Sequence, residues 1–236
     1  MVLIQWKTPP KKGNQVQKIL CIKSLSRDEK QATLPLDRVG KVKFPVYVFG
    51  YGSLLFPNGW NKRGMIKKYD NKDLKTCWLN NYKRGLYGRY GNILYYGIIP
   101  NKDCRCNGIV TKVYNEYDYI KLMLSERAKQ VIETYFPFDK NPINYYIDDV
   151  TDNIKFDRKV SNENLRVHAV INNVNDPNRK HSIPEIYYLA YVWSGIEKYR
   201  SKRFIKEFTE TGGLNYEEVK KLYKLFRKEV DLMYWL

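Results

Sequence analysis

Phe49-Gly50-Tyr51-Gly52-Ser53-Leu54 is the stretch of this chain whose residue types and spacing best suit chemistry. The β-prone run Pro45-Val46-Tyr47-Val48 leads straight into two glycines separated by one residue. A buried strand that ends this way exposes its last backbone N–H groups and lets a ligand approach closely. Main-chain donors in such a turn can hold a carboxylate or a developing oxyanion. The same pattern also fits a strand that simply ends in a turn. From these residues alone the two readings stand side by side. Ser53 is a poor covalent nucleophile, because the chain has 2 histidines, His168 and His181, and neither lies in a triad-like setting. Glu126 is the next residue of interest. It follows the strand-like Gly108-Ile109-Val110-Thr111-Lys112-Val113 on a segment of helical period. A helix entered directly from a strand can aim a side chain back over the mouth of a sheet. A helical Glu facing solvent is the plainer alternative.

The elements that would position these residues are legible in outline. Residues 46–49 read as a strand, and residues 78–84 and 92–99 as two more in the same sheet. Pro100-Asn101-Lys102-Asp103 supplies a turn, after which residues 108–113 alternate as a returning strand. The period then becomes helical over residues 117–135, where Ile120, Met123, Leu124, Val131 and Tyr135 share a stripe. Asn115 is the expected N-cap, Glu116 and Asp118 lie in the first turn, and Pro137 ends the helix. Short strands are expected at 144–149 and 166–171. Pro184 opens an amphipathic helix through Tyr199, with further helical stretches at 201–211 and 215–235. Residues 1–44 read as a basic extension holding a short strand at 17–22. Residues 45–236 form the domain, with helices at its C-terminal end.

Composition limits the function classes. With 236 residues, 43% hydrophobic and 15% aromatic, the chain can bury a substantial core. The net charge of +17 favours an anionic partner. The lysines are scattered, however, and there is no zinc-finger, helix-turn-helix or RNA-recognition wording. Nucleic-acid association through the basic extension is a reading without a motif behind it. Cys21, Cys77, Cys104 and Cys106 are too irregular for a disulfide framework, and with the two histidines they offer no metal-ligand spacing. No apolar run is long enough to cross a membrane. Met1-Val2-Leu3-Ile4-Gln5-Trp6-Lys7 lacks the charged-then-apolar order of a secretory signal. A cytoplasmic protein with reduced thiols is expected.

The wording Phe49-Gly50-Tyr51-Gly52-Ser53-Leu54 resembles the signature loop of the γ-glutamylcyclotransferase superfamily, especially its ChaC-like branch. Two later segments fall into step with it. Leu122-Met123-Leu124-Ser125-Glu126 is similar to the family's L-D-x-x-E element at its Leu and Glu. Met123 stands where Asp is usual, and Arg127 where Gly is common. Pro184-Glu185-Ile186-Tyr187-Tyr188-Leu189 resembles the family's P-S-x-x-Y-L opening of a late helix, with Glu185 in place of the serine. Gly195 follows where a glycine is usual. The resemblance covers roughly residues 45–200 and implies an α+β fold, a mixed β-barrel or sheet with flanking helices.

What the resemblance implies chemically is release of 5-oxoproline from a γ-glutamyl amide. The substrate's own α-amino group attacks its γ-carbonyl. The protein then has to supply a folded-over pose, a proton acceptor and an oxyanion site. Glu126 is the implied proton carrier, with Glu133 its rival further along the same stretch. Such a carboxylate works best when partly buried. Tyr51, Gly52, Ser53 and Leu54 would grip the γ-glutamyl group, and Tyr188 would line the site. No cofactor or metal is needed. Expected substrates are glutathione, a γ-glutamyl amino acid or a γ-glutamyl amine. The alternative is a catalytically altered member that binds a small acidic ligand or a macromolecular partner.

Overall fold

The computed structural model describes residues 35–36, 40–90, 92–135, 145–157, 166–172 and 182–222. The expected strand at 17–22, His181, Pro137 and the helical stretch beyond 222 lie outside the described residues. The architecture is α+β, as expected. Its centre is β3 (Val46–Gly50), where Val46, Val48 and Phe49 are buried. β3 runs antiparallel to β5 (Ile93–Val113) on one side and parallel to β8 (Val167–Asn172) on the other. Every residue of β8 is buried, as a strand covered on both faces requires. β4 (Lys75–Tyr90), β6 (Tyr145–Asp149) and β7 (Ile154–Phe156) complete the order β6-β8-β3-β5-β4-β7, and β9 (Ile183–Pro184) pairs with β5. A separate pair joins β1 (Pro35–Leu36) to β2 (Gly40–Lys41), and Val42, just after it, is buried in the main core.

The sheet curls strongly. The Tyr82 hydroxyl on β4 comes within 3.5 Å of Asp148 on β6, although the two strands stand far apart in the sheet order. The hydroxyl of Tyr145, also on β6, sits against Gly88 of β4. An open sheet whose ends approach in this way forms a partial barrel.

Two expected connections differ from the structure. Residues 100–103 do not turn the chain back. β5 runs on through them, because β4 pairs with both of its halves. Tyr82 partners Pro100 and Asn80 partners Arg105, so residues 101–104 stand opposite Asn81 alone. Asn81 (φ 63°) and Asp103 (φ 68°) absorb the mismatch, and the polar residues 101–103 bulge into solvent. The two strands instead begin their pairing at Tyr90 and Ile93.

The expected single helix over 117–135 is also two helices, α2 (Glu116–Ser125) and α3 (Lys129–Tyr135). Asn115 caps α2 as expected, its side chain accepting the Asp118 N–H at 2.9 Å. At the other end Arg127 N–H reaches Leu124 O and Ala128 N–H reaches Met123 O. Those two bonds form a Schellman motif, with Arg127 in the left-handed region at φ 54°. The break was hidden because Met123, Ala128 and Val131, on both sides of it, are all buried and so extend one apolar stripe.

α1 (Pro57–Asn61) is a short helix following the glycine loop. α4 (Ile186–Tyr199) begins two residues after Pro184, and the Glu185 carboxylate accepts from the Tyr187 and Tyr188 N–H groups. Glu185 thus does the capping expected of the serine it replaces. Gly195 lets α4 lie directly on the Phe56 ring, which a Cβ there would strike. α5 (Lys202–Glu210) is capped by Ser201 and packs on the sheet through Phe204 and Phe208.

Candidate active site

The chain leaves β3 at Gly50, on the central strand, and turns at once into a 3-10 turn over Ser53–Leu55. Leu55 N–H closes that turn on Gly52 O at 3.0 Å. The loop is tied down from several sides. The Tyr51 hydroxyl donates to Val170 O on β8 at 2.7 Å, and the Trp60 indole donates to Leu54 O at 2.6 Å. Arg200 Nε donates to Leu55 O at 2.7 Å. Tyr51 and Leu54 are therefore core residues by their side chains, and the face the loop offers is its main chain and Ser53.

Arg63, just past α1, organises that face. Its guanidinium donates to Ser53 Oγ at 2.9 Å and to Glu126 Oε1 through Nε at 2.7 Å. A second guanidinium nitrogen also reaches Glu126 Oε1, and the third reaches Gly59 O. Side-chain exposure is 13% for Arg63 and 21% for Glu126, so the ion pair is partly buried. Both donors to Glu126 use one carboxylate oxygen, and among the described residues Oε2 takes no hydrogen bond. Glu126 owes its position to the end of α2, where it is the C-cap residue. Asp118, fully buried, fixes the segment that follows Arg63 by accepting from Ile66 N–H at 2.6 Å and Lys67 N–H at 3.2 Å.

Tyr188 closes the site from α4. Its hydroxyl stands so near Gly52 that a Cβ there would collide with it, and it interacts with the Ser53 main chain. Its ring packs edge-on against Tyr95 at 5.1 Å. Tyr145 reaches in from β6, next to Gly88. Burial holds the Tyr51, Tyr145 and Tyr188 hydroxyls above the usual tyrosine range. The charge of Glu126 adds to burial at each of them. Such hydroxyls stay protonated; that of Tyr51 is spent on Val170 O, whereas Tyr188 is placed to donate to a ligand.

Of the residues singled out in the sequence, Gly52, Ser53, Glu126 and Tyr188 come together here. Glu133 does not join them: it is exposed on α3 and pairs with Lys129 at 3.5 Å. Met123 is fully buried in the core. Nothing local in the sequence marks Arg63, because its carboxylate partner lies 63 residues away. The arrangement supplies a carboxylate with one oxygen that takes no hydrogen bond among the described residues, a cation beside it, and a main-chain loop with hydroxyls around it. These parts suit proton transfer next to a bound anion or polarised carbonyl.

No family model and no curated protein matches the chain. Among solved structures, YkqA from Bacillus subtilis is similar at 16% identity and a TM-score of 0.49, over 71% of this chain. The chain spans 54% of the length of YkqA. A structure described as gamma-glutamyl cyclotransferase matches at 14% identity and a TM-score of 0.45, over 76% of this chain and 98% of its own. A yeast gamma-glutamyl cyclotransferase specific to glutathione matches at 11% identity and a TM-score of 0.37, over 78% and 96%.

Proposed function

We propose that the chain is a γ-glutamylcyclotransferase that releases 5-oxoproline from a γ-glutamyl amide. The observation that carries this reading is Arg63, which binds Ser53 of the glycine loop and Glu126 with one guanidinium. The sequence resemblance independently singles out the same loop and the same glutamate.

In this reading the loop holds the γ-glutamyl unit folded over itself. The N–H groups of Gly52 and Leu54 and the Tyr188 hydroxyl are its donors to the γ-carbonyl oxygen or the α-carboxylate. Glu126 Oε2 accepts a proton from the α-ammonium, while Arg63 keeps Oε1. The freed amine lone pair forms a C–N bond to the γ-carbon, giving a five-membered ring with an oxyanion. Glu126 returns its proton to the original amide nitrogen as the bond to it breaks, and the second proton still on the ring nitrogen passes to the released amine. Products are 5-oxoproline and a free amine, with no net consumption of water. The protein contributes no covalent nucleophile, consistent with Ser53 being engaged by Arg63.

Glutathione and γ-glutamyl amino acids are the proposed substrates. Their anionic character suits a chain of net charge +17. The test is to incubate the protein with glutathione and with γ-glutamyl-alanine and to assay 5-oxoproline. Product from at least one supports the proposal. No product from either refutes it.

A further inference from the structure

We infer that Asp118 is a positioning residue for the proposed reaction: it pins the loop that carries Arg63 and so sets where Arg63 holds Glu126. The inference rests on the function proposed above and adds to it a residue from the opposite end of α2, about 12 Å along the helix from Glu126.

Arg63 has a long side chain with many rotamers to lose, and the backbone beside it is a loose joint. Gly64 has φ 71°, and a Cβ there would meet nothing within 4 Å. Glycine leaves such a joint free to swing. The loop is fixed on either side of it. Asn61, at the end of α1, binds both main-chain groups of Tyr69: its Nδ2 donates to Tyr69 O at 3.0 Å, and its Oδ1 accepts the Tyr69 N–H at 2.8 Å. Tyr69 is itself buried, with its ring 5.4 Å from that of Trp60. This pair of bonds closes residues 62–68 into a compact loop. Asp118 ties the middle of that loop, accepting Ile66 N–H on one oxygen and Lys67 N–H on the other.

Asp118 is 0% exposed, and burying a carboxylate costs stability unless its oxygens are satisfied. An apolar side chain could fill the same space without that cost. What the carboxylate adds is two acceptors aimed at adjacent N–H groups, which fix the direction of the chain three residues after Arg63. The loop is thus held at both ends of α2, by its main chain at Asp118 and by the Arg63 guanidinium at Glu126. A loop that shifts along α2 carries Arg63 away from Glu126 and Ser53. Misplacing a reacting group by about 1 Å can cost about a hundredfold in rate.

The test measures kcat and KM on γ-glutamyl-alanine, with Tm alongside, for Asp118→Asn alone and combined with Arg63→Met. Asparagine keeps the shape but turns one acceptor into a donor facing an N–H. Asp118→Asn should lower kcat by about tenfold and leave KM within about twofold, because Arg63 holds the proton carrier and not the substrate. In the Arg63→Met background it should cost no further kcat, although Tm still falls. A carboxylate that served folding alone would lower Tm and leave kcat of the folded protein unchanged. Asn61→Ala unties the same loop from its other side and should repeat the pattern, so it decides the matter if Asp118→Asn does not fold. Wild-type kcat in the folded variant, or equal losses of kcat with and without Arg63, overturns the inference and leaves the proposed activity standing. No 5-oxoproline from the wild-type protein overturns both.

Discussion

Arg63 and Arg84 are both withdrawn from water, yet they meet different partners. Arg63 pairs with a carboxylate through one of its oxygens, at a partly exposed site. Arg84 on β4 is fully buried, and its hydrogen bonds go to neutral oxygens: Asn107 Oδ1 at 3.0 Å, the Asn107 carbonyl, Thr211 Oγ1 at 3.3 Å and Phe208 O at 3.5 Å. Its guanidinium also stacks on the Phe208 ring at 4.3 Å. Thr211 caps the C-terminal end of α5, where carbonyls carry the negative end of the helix dipole. Burial lowers the Arg84 pKa, and these partial charges serve where a counter-ion would stand. The contrast separates two uses of a buried cation. One docks a helix onto a sheet, and the other holds a carboxylate next to a loop.

Substitutions can break that contrast, and the largest effect belongs to the reactive side. Glu126→Gln should reduce 5-oxoproline release by about a thousandfold, while Glu133→Gln on α3 leaves it at the wild-type rate. A turnover assay on γ-glutamyl-alanine reads both, and the reverse pattern would move the proton carrier to α3. Next comes Gly52→Ala, whose new methyl meets the Tyr188 hydroxyl. Displacing the loop by this means should cost about a hundredfold in kcat. Adding Tyr188→Phe removes the oxygen that is struck, so the double variant should recover part of the Tm lost in Gly52→Ala.

Arg84→Met tests the docking side. It leaves Asn107 and Thr211 without their donor and should lower stability by about 2 kcal/mol in denaturant unfolding. Its effect on turnover should be small compared with that of Gly52→Ala. A variant that unfolds normally but has lost activity would place Arg84 with Arg63 instead.

The smallest expected effect is acid sensitivity through His168. This residue is fully buried on β8, with Nδ1 2.7 Å from the Tyr119 hydroxyl. Burial pushes its pKa down to about 4, below the unfolded value of about 6.5. As pH falls, the unfolded chain takes up this proton first. Stability from a neutral His168 is therefore complete above pH ~6.5 and is lost as pH falls toward 4, by about 1 kcal/mol at pH ~5.5. His168→Gln should flatten the fall of Tm across that window.

Much of the site was legible because its signals are local. Two glycines after an apolar run mark the loop, and Asn115 with Asp118 marks the start of the helix that carries Glu126. Long-range features were not legible. Arg63 finds Ser53 and Glu126 only once β3 and α2 are placed, and no spacing predicts that meeting. Arg127 breaks the helix in a conformation its residue type disfavours, so the apolar stripe read straight through it. The hairpin was misplaced for a related reason. Pro100-Asn101-Lys102-Asp103 is a strong turn signal by composition, yet β4 is long enough to pair on both sides of it. Composition could not show that pairing.

The central claim is that the glycine loop, Arg63 and Glu126 work as one unit in releasing 5-oxoproline. A double-mutant cycle tests it most directly, with kcat on γ-glutamyl-alanine measured for Arg63→Met, Glu126→Gln and the two combined. Residues that act as a unit are non-additive, so the account predicts that Arg63→Met costs activity alone but nothing further once Glu126 is gone. Full multiplication of the two losses, or near wild-type turnover in Glu126→Gln, would contradict it.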